Sequence, residues 1–227
     1  ARILDINWVS TEWPTEYKDG YGDIPLPLSG LAETASGDKR PFFVFIDKDR
    51  DPEEKEELIQ DLFGLEDVVI ASRAFNCFRL TAEDIPDRTL RKKYGKQTPA
   101  LYFFTAEGKE IGKVSGKSKP KSVYSKMRKP FESHYDAKLS KWVKSFVKGM
   151  TVMEKAEDDV ANMGRALSTI EERFAKKDKL TSKHKKDLAD AKQKVAEAEK
   201  AFEAAQKHLE KLLEIPAKEE KKAVAKR

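Results

Sequence analysis

A single cysteine, Cys77, occurs in 227 residues, which excludes an intrachain disulfide framework and any multi-cysteine metal site. Three histidines, His134, His184 and His208, are too scattered for metal-ligand spacing. No run of about 18 apolar residues exists, so no segment reads as a membrane-spanning helix. Mean hydropathy is also low, at -0.70, too polar for one fully globular core; a compact part joined to an exposed charged part is expected. The charge is divided accordingly: residues 1–116 hold 16 Lys and Arg against 22 Asp and Glu, whereas residues 117–227 hold 29 against 18. Basic surface of this kind attracts nucleic acid, anionic lipid or acidic protein without identifying any of them. A first residue Ala1 in place of Met fits a mature product after signal-peptide removal, and equally a trimmed chain; periplasmic or secreted localisation is the expectation.

Along the chain, ARILDINWVS has strand composition, and TEWPTEYKDGYGDIPLPLSG, dense in Gly, Pro and Asp, reads as an irregular loop. A short helix is expected over Leu31 to Ala35, capped by Ser29 and stopped by Gly37. RPFFVFI predicts a strand buried on both faces. PEEKEELIQDLFG predicts a helix that starts at Pro52, carries glutamates early, places Leu58, Ile59, Leu62 and Phe63 on one side and ends at Gly64. DVVIASRAFNCFRL reads as a strand region, and IPDRTLRKKYG as a helix headed by Pro86 and Asp87. PALYFFTAEGKEIGKVSG predicts a hairpin turning at Gly108. The next helix has Val123, Met127 and Phe131 at spacing four, with a bend expected at Pro130.

From Leu139 the period changes. Leu139, Val143, Phe146, Met150, Met153, Ala156, Val160, Met163, Leu167, Ile170 and Phe174 alternate by four and three with one 3,3 step. Leu188, Ala191, Val195, Ala198, Phe202, Ala205, Leu209 and Leu212 then form an unbroken heptad series, after a polar break where Thr181 or Ser182 can cap. Two helices of about 50 Å each, joined briefly, predict an antiparallel coiled-coil hairpin. The expected organisation is residues 1–40 as a lead-in, 41–135 as an α/β domain, 136–215 as the helical hairpin, and 216–227 as a disordered basic tail after Pro216.

The order strand, helix, strand, helix, hairpin, helix over residues 42–135 resembles the thioredoxin fold: a central mixed sheet flanked by helices. KKYGKQTPALYFFTAEGKEIGKVSG is similar to the second half of such a domain, with Thr98 and Pro99 on its Thr then cis-Pro, Gly108 in its hairpin turn and Gly116 closing it. INWVS and LAETASGDKRPFFVFID resemble the tryptophan, short helix and Lys/Arg-Pro lead of extracytoplasmic thioredoxin-like proteins. The segment Gly95 to Pro99 is one residue shorter than usual. On this resemblance the CxxC redox motif falls on Asp51, Pro52, Glu53 and Glu54, where there is no cysteine. Dithiol exchange needs an attacking thiolate and a resolving thiol, so the resemblance implies a redox-inactive domain. It further implies a peptide groove involving Asp49, Thr98 and Pro99.

Asp47, Asp49 and Asp51 reproduce the D-x-D-x-D opening of an EF-hand loop, but the glycine required next is Pro52 and the bidentate glutamate is replaced by Leu58. A helix-capping acidic loop is the expectation, with a calcium site as the competing one. No histidine, nucleophile or oxyanion donor can be named beside these carboxylates, so no catalytic constellation and no cofactor are assigned. Cys77, in a strand, reads as a small buried hydrophobe; an oxidoreductase or peroxidase working through it is the enzymatic alternative. Lys113, Lys117, Lys119, Lys121, Lys126, Arg128 and Lys129 form a basic cluster. It lacks the interleaved aromatics of nucleic-acid binders and reads as a solvated face or a surface for an anionic partner. The functional expectation is a binding or scaffold protein that meets a protein partner, or a second copy, through its hairpin.

Overall fold

In the computed structural model, which describes residues 5–34, 39–176 and 179–218, the aromatic run after Pro41 forms the centre of a five-stranded mixed sheet. Strands β1 (Trp8–Ser10), β4 (Phe42–Asp47), β5 (Asn76–Thr81), β6 (Ala100–Phe104) and β7 (Glu110–Ser115) lie in the order β1-β5-β4-β6-β7. β5 runs parallel to both β1 and β4, whereas β6 is antiparallel to β4 and β7. Every residue of β4 and β6 is buried, as continuous apolar strands covered on both faces must be.

Alternation along these strands divides two aromatic layers. Phe42, Val44, Ile46, Phe78, Tyr102 and Phe104 pack with Trp13, Leu28, Leu31 and Tyr94 on one face. On the other, Trp8 meets Phe43, Phe45 and Phe63, and Phe43 meets Phe75 and Phe103. Helices α2 (Pro52–Phe63), α3 (Glu66–Ser72) and α5 (Pro120–His134) pack together, while α1 (Leu31–Thr34) and α4 (Arg88–Leu90), continued by the π-helical turn Arg91–Gly95, complete the helices of this part. Asp51 caps α2 and Asp87 caps α4 through backbone N–H groups. Tyr102, buried beside Tyr94, has its phenol pushed up to about 12 by that burial and by Glu110.

The structure departs from expectation in four places. Residues Thr15–Lys18 (β2) and Gly22–Pro25 (β3) pair as a two-stranded hairpin where an irregular loop was predicted. All of β2 is exposed, so no apolar alternation marks it; the turn relies on Gly20 and Gly22 at φ +83° and +72°. DVVIAS is the helix α3, not a strand. A short apolar run buried all round has no period that distinguishes the two, and Glu66 and Asp67 in the first turn favour the helix. Ser29 does not cap α1 but lies inside a 3₁₀ turn, Leu28–Gly30, that leads into it. The tail is ordered at its start: Ala217 pairs with Tyr135, Asp136 N–H donates to Pro216 O (3.0 Å) and Lys218 N–H to His134 O (2.8 Å). Gly37 and residues 219–227 lie outside the described residues. Helix α5 continues through Pro130 to His134.

The chain divides into two units, Ala1–Val143 with Ile215–Arg227, and Lys144–Glu214. The second is a long helical region made by α6 (Leu139–Ala175), whose first residues belong to the sheet-bearing unit, and α7 (Ser182–Leu213). Thr181 caps α7 in a reciprocal box with His184. Glu171 faces Lys192 (3.8 Å), the rings of Phe174 and His184 are 4.7 Å apart, and Gly149 lies against Leu209 and Leu212. Partners thus descend along α7 as they ascend along α6, so the two helices run antiparallel.

Candidate functional site

The segment Asp47-Lys48-Asp49-Arg50-Asp51 joins the end of β4 to α2, and pairing of Ile46 with Ala100 brings it alongside Thr98 and Pro99. The Thr98–Pro99 peptide bond is cis. Gly116 closes over it: its N–H donates to Pro99 O at 2.6 Å, and a Cβ there would run into Pro99 Cγ.

The three aspartates do three separate jobs. Asp47 still belongs to the strand and is 3% exposed; its Oδ1 accepts from Arg50 Nε at 2.9 Å. This bond and the paired charge hold the Arg50 guanidinium above its ordinary value, and Glu54 lies 3.7 Å from its other end. Asp49 is exposed, and its N–H donates to Glu83 at 3.3 Å, tying the segment to the turn after β5. Asp51 accepts from Glu53 N–H at 3.0 Å as the cap of α2. Their carboxylates therefore do not converge, and among the described residues no group of three His, Cys, Asp or Glu could hold a metal ion.

Asp51, Pro52, Glu53 and Glu54, at the position the resemblance gives to a redox motif, form the first turn of α2, with Asp51, Glu53 and Glu54 exposed. The positive end of the helix dipole suits acidic side chains at this position. Sequence reasoning missed one member of this region, Arg79. Arg79 stacks over Phe45, 5.6 Å from its centroid, and burial lowers its pKa against the opposing pull of Asp47. Asp47 Oδ2, Arg79 Nη2 and Thr98 Oγ1 are buried without a hydrogen-bond partner among the described residues. The available signal was a strand phase that sends Asp47 inward with Phe43 and Phe45, and Arg79 beside them.

Cys77 is buried in β5; its Sγ lies 3.4 Å from Ser72 O, and burial pushes the thiol pKa up. A thiol so placed is a poor nucleophile. The basic residues lie elsewhere. Lys117, Lys119, Lys121, Lys126, Arg128 and Lys129 are all exposed on and just before α5, and Arg128 pairs with Glu132 of its own helix at 3.1 Å. Ser125, Arg128, Lys129, Glu132 and Ser133 line a cleft of about 350 Å³.

Within the hairpin, Ala156, Phe174, Ala205 and Leu209 are buried, but Val160, Met163, Leu167 and Ile170 of α6, and Leu188, Ala191, Val195 and Ala198 of α7, are only half-buried. A cleft of about 340 Å³ opens between Met163, Ala166 and Ile170 on one helix and Asp187, Ala191 and Lys194 on the other. Among the described residues, no helix is long and apolar enough to cross a membrane. No protein-family model matches this chain, and no curated protein matches it.

Proposed function

We propose that this chain is a redox-inactive, thioredoxin-like binding protein whose antiparallel coiled-coil hairpin mediates protein–protein assembly. The observation that carries this reading is the half-buried seam of the hairpin. An amphipathic helix buries an apolar stripe wider than a single neighbour can cover, which is why helices of this type collect into bundles. The residues from Val160 to Ile170, with Leu188 to Ala198 opposite, are only half-buried, and the apolar surface they leave along the seam suits a further amphipathic helix. Support for the thioredoxin-like part comes from the strand order β1-β5-β4-β6-β7, with two parallel and then two antiparallel joins, and from a cis-proline beside the start of α2. Carboxylates in that first turn and a buried Cys77 favour binding over thiol chemistry.

The test places a photo-crosslinking residue at Ala166 or Ala191 in the full chain, with Lys200 on the exposed side of α7 as control. A defined adduct to a helical segment from the first two positions and none from the control is expected; equal labelling at all three, or none, overturns the proposal. Cys77 separates it from the enzymatic alternative. Slow modification by a thiol reagent in the native state and fast modification in denaturant is expected, and fast native labelling would instead favour a reactive thiol.

A further inference from the structure

Helices α2 and α5 are neighbours in one layer, yet their outward faces carry opposite charge. On α2, Glu53, Glu57 and Asp61 recur every four residues and are exposed, with Glu54 and Glu56 beside them. On α5, Lys121, Arg128 and Lys129 face outward, opposite the buried Val123, Met127 and Phe131. The ion pairs described on these two helices, Arg50–Glu54 and Arg128–Glu132, are local in sequence and join neither face to the other.

Three of these charges, Lys119, Lys121 and Asp61, have the wrong sign for their helix ends, whereas Glu53 and Glu54 at the head of α2 have the right one. Lys119 and Lys121 stand at the N-terminus of α5, where no acidic residue occupies the first turn, and Asp61 stands in the last turn of α2, which has no basic residue. Both arrangements oppose the helix dipole and cost stability within one molecule. Such charges become favourable when something outside the molecule answers them.

A second copy does so. β4 and β7 both run antiparallel to β6, so α2 and α5 leave the same end of the sheet and run in the same sense. A two-fold axis in the plane of contact and parallel to the helices lays the α2 of one copy on the α5 of the other, both running in the same sense. It sets the α5 N-terminus, with Lys119 and Lys121, against the Glu53 and Glu54 end of α2. Arg128 and Lys129 then meet Asp61 toward the other end, beside a cleft that Ser125 and Glu132 also line and where Glu132 already pairs with Arg128. Charges match at both ends, and the contact is made twice, as an isologous interface requires.

We propose that the α2–α5 layer is a self-association surface on which the acidic α2 of one copy docks on the basic α5 of another. This goes beyond the hairpin reading and does not depend on it. The experiment is sedimentation equilibrium of the full chain at about 50 and about 500 mM NaCl, either side of physiological screening. A dimer whose dissociation constant rises about tenfold or more with salt is expected. Two double variants follow: Lys121→Glu with Lys129→Glu, and Glu57→Lys with Asp61→Lys. Each alone is expected to be monomeric, and an equimolar mixture to recover the dimer, since each supplies the charge the other has lost. Lys121→Glu also relieves the unfavourable helix end, so loss of the dimer with an unchanged or raised melting temperature separates docking from folding. A monomeric wild type, dimers indifferent to both variants, or a mixture that stays monomeric overturns the proposal. Neither variant alters a residue beyond Val143, so failure here leaves the hairpin reading untouched, and crosslinking failure there leaves this one untouched.

Discussion

The two units bury apolar residues to very different degrees. In the sheet-bearing unit, Phe42, Phe43, Phe45, Leu62, Leu101, Phe103 and Phe131 are all fully enclosed. In the hairpin, Met163, Leu167, Ile170 and Val195 remain half in water. A sheet covered on both sides satisfies its strands internally, whereas two helices share one contact line and leave the flanks of each stripe uncovered. The core of the first unit is closed, whereas the apolar seam of the second is only partly covered.

That contrast can be broken by substitution. Leu62→Ala should cost about 2–5 kcal/mol in urea unfolding, the range for emptying an enclosed site, and Leu167→Ala about half of that or less, since part of its side chain is already hydrated. Equal losses would mean that the hairpin seam is closed. Gly116→Ala drives a Cβ into the Pro99 ring and should cost about 2–3 kcal/mol, read from the same curves as a loss in the sheet-bearing unit. Thr181→Ala removes half of a reciprocal cap and should cost about 1 kcal/mol, seen as fraying of the first turn of α7 by hydrogen exchange.

The smallest effect is one of pH. The Asp87 carboxyl is held below its ordinary value by the Leu90 N–H, with Thr89 N–H also donating to it. A depressed folded-state pKa adds stability above the unfolded value, and this is lost as pH falls through the folded one. The melting temperatures of wild type and Asp87→Ala should therefore differ at neutral pH and converge below about pH 4. A gap that widens on acidification would break the assignment.

Much of this architecture is written in local pattern. The enclosed β4, the Asp51 cap and Pro52 start of α2, the Gly108 turn and the two heptad series each follow from a period or a terminal residue that acts within a few positions. What escaped depends on distant partners. DVVIAS is helical because α3 packs against α5 and α2, a contact that its own apolar run cannot announce. β2 and β3 pair through backbone alone, with side chains in water. In the candidate site, the capping role of Asp51 was legible, but the burial of Asp47 under Arg50 and beside Arg79 depended on strand phase and on which strands became neighbours.

The pairing of Tyr135 with Ala217 has a topological consequence. Chain departure and chain return meet at one backbone bridge, fastened further by Tyr135 Oη donating to Ala74 O at 2.9 Å. Everything between is therefore an excursion with a closed doorway. Closing a loop costs entropy that grows only slowly with its length, so the helical region beyond Val143 could be exchanged for a shorter or a longer one at little expense to the bridge. An insertion of this kind can change its length while the sheet stays as it is.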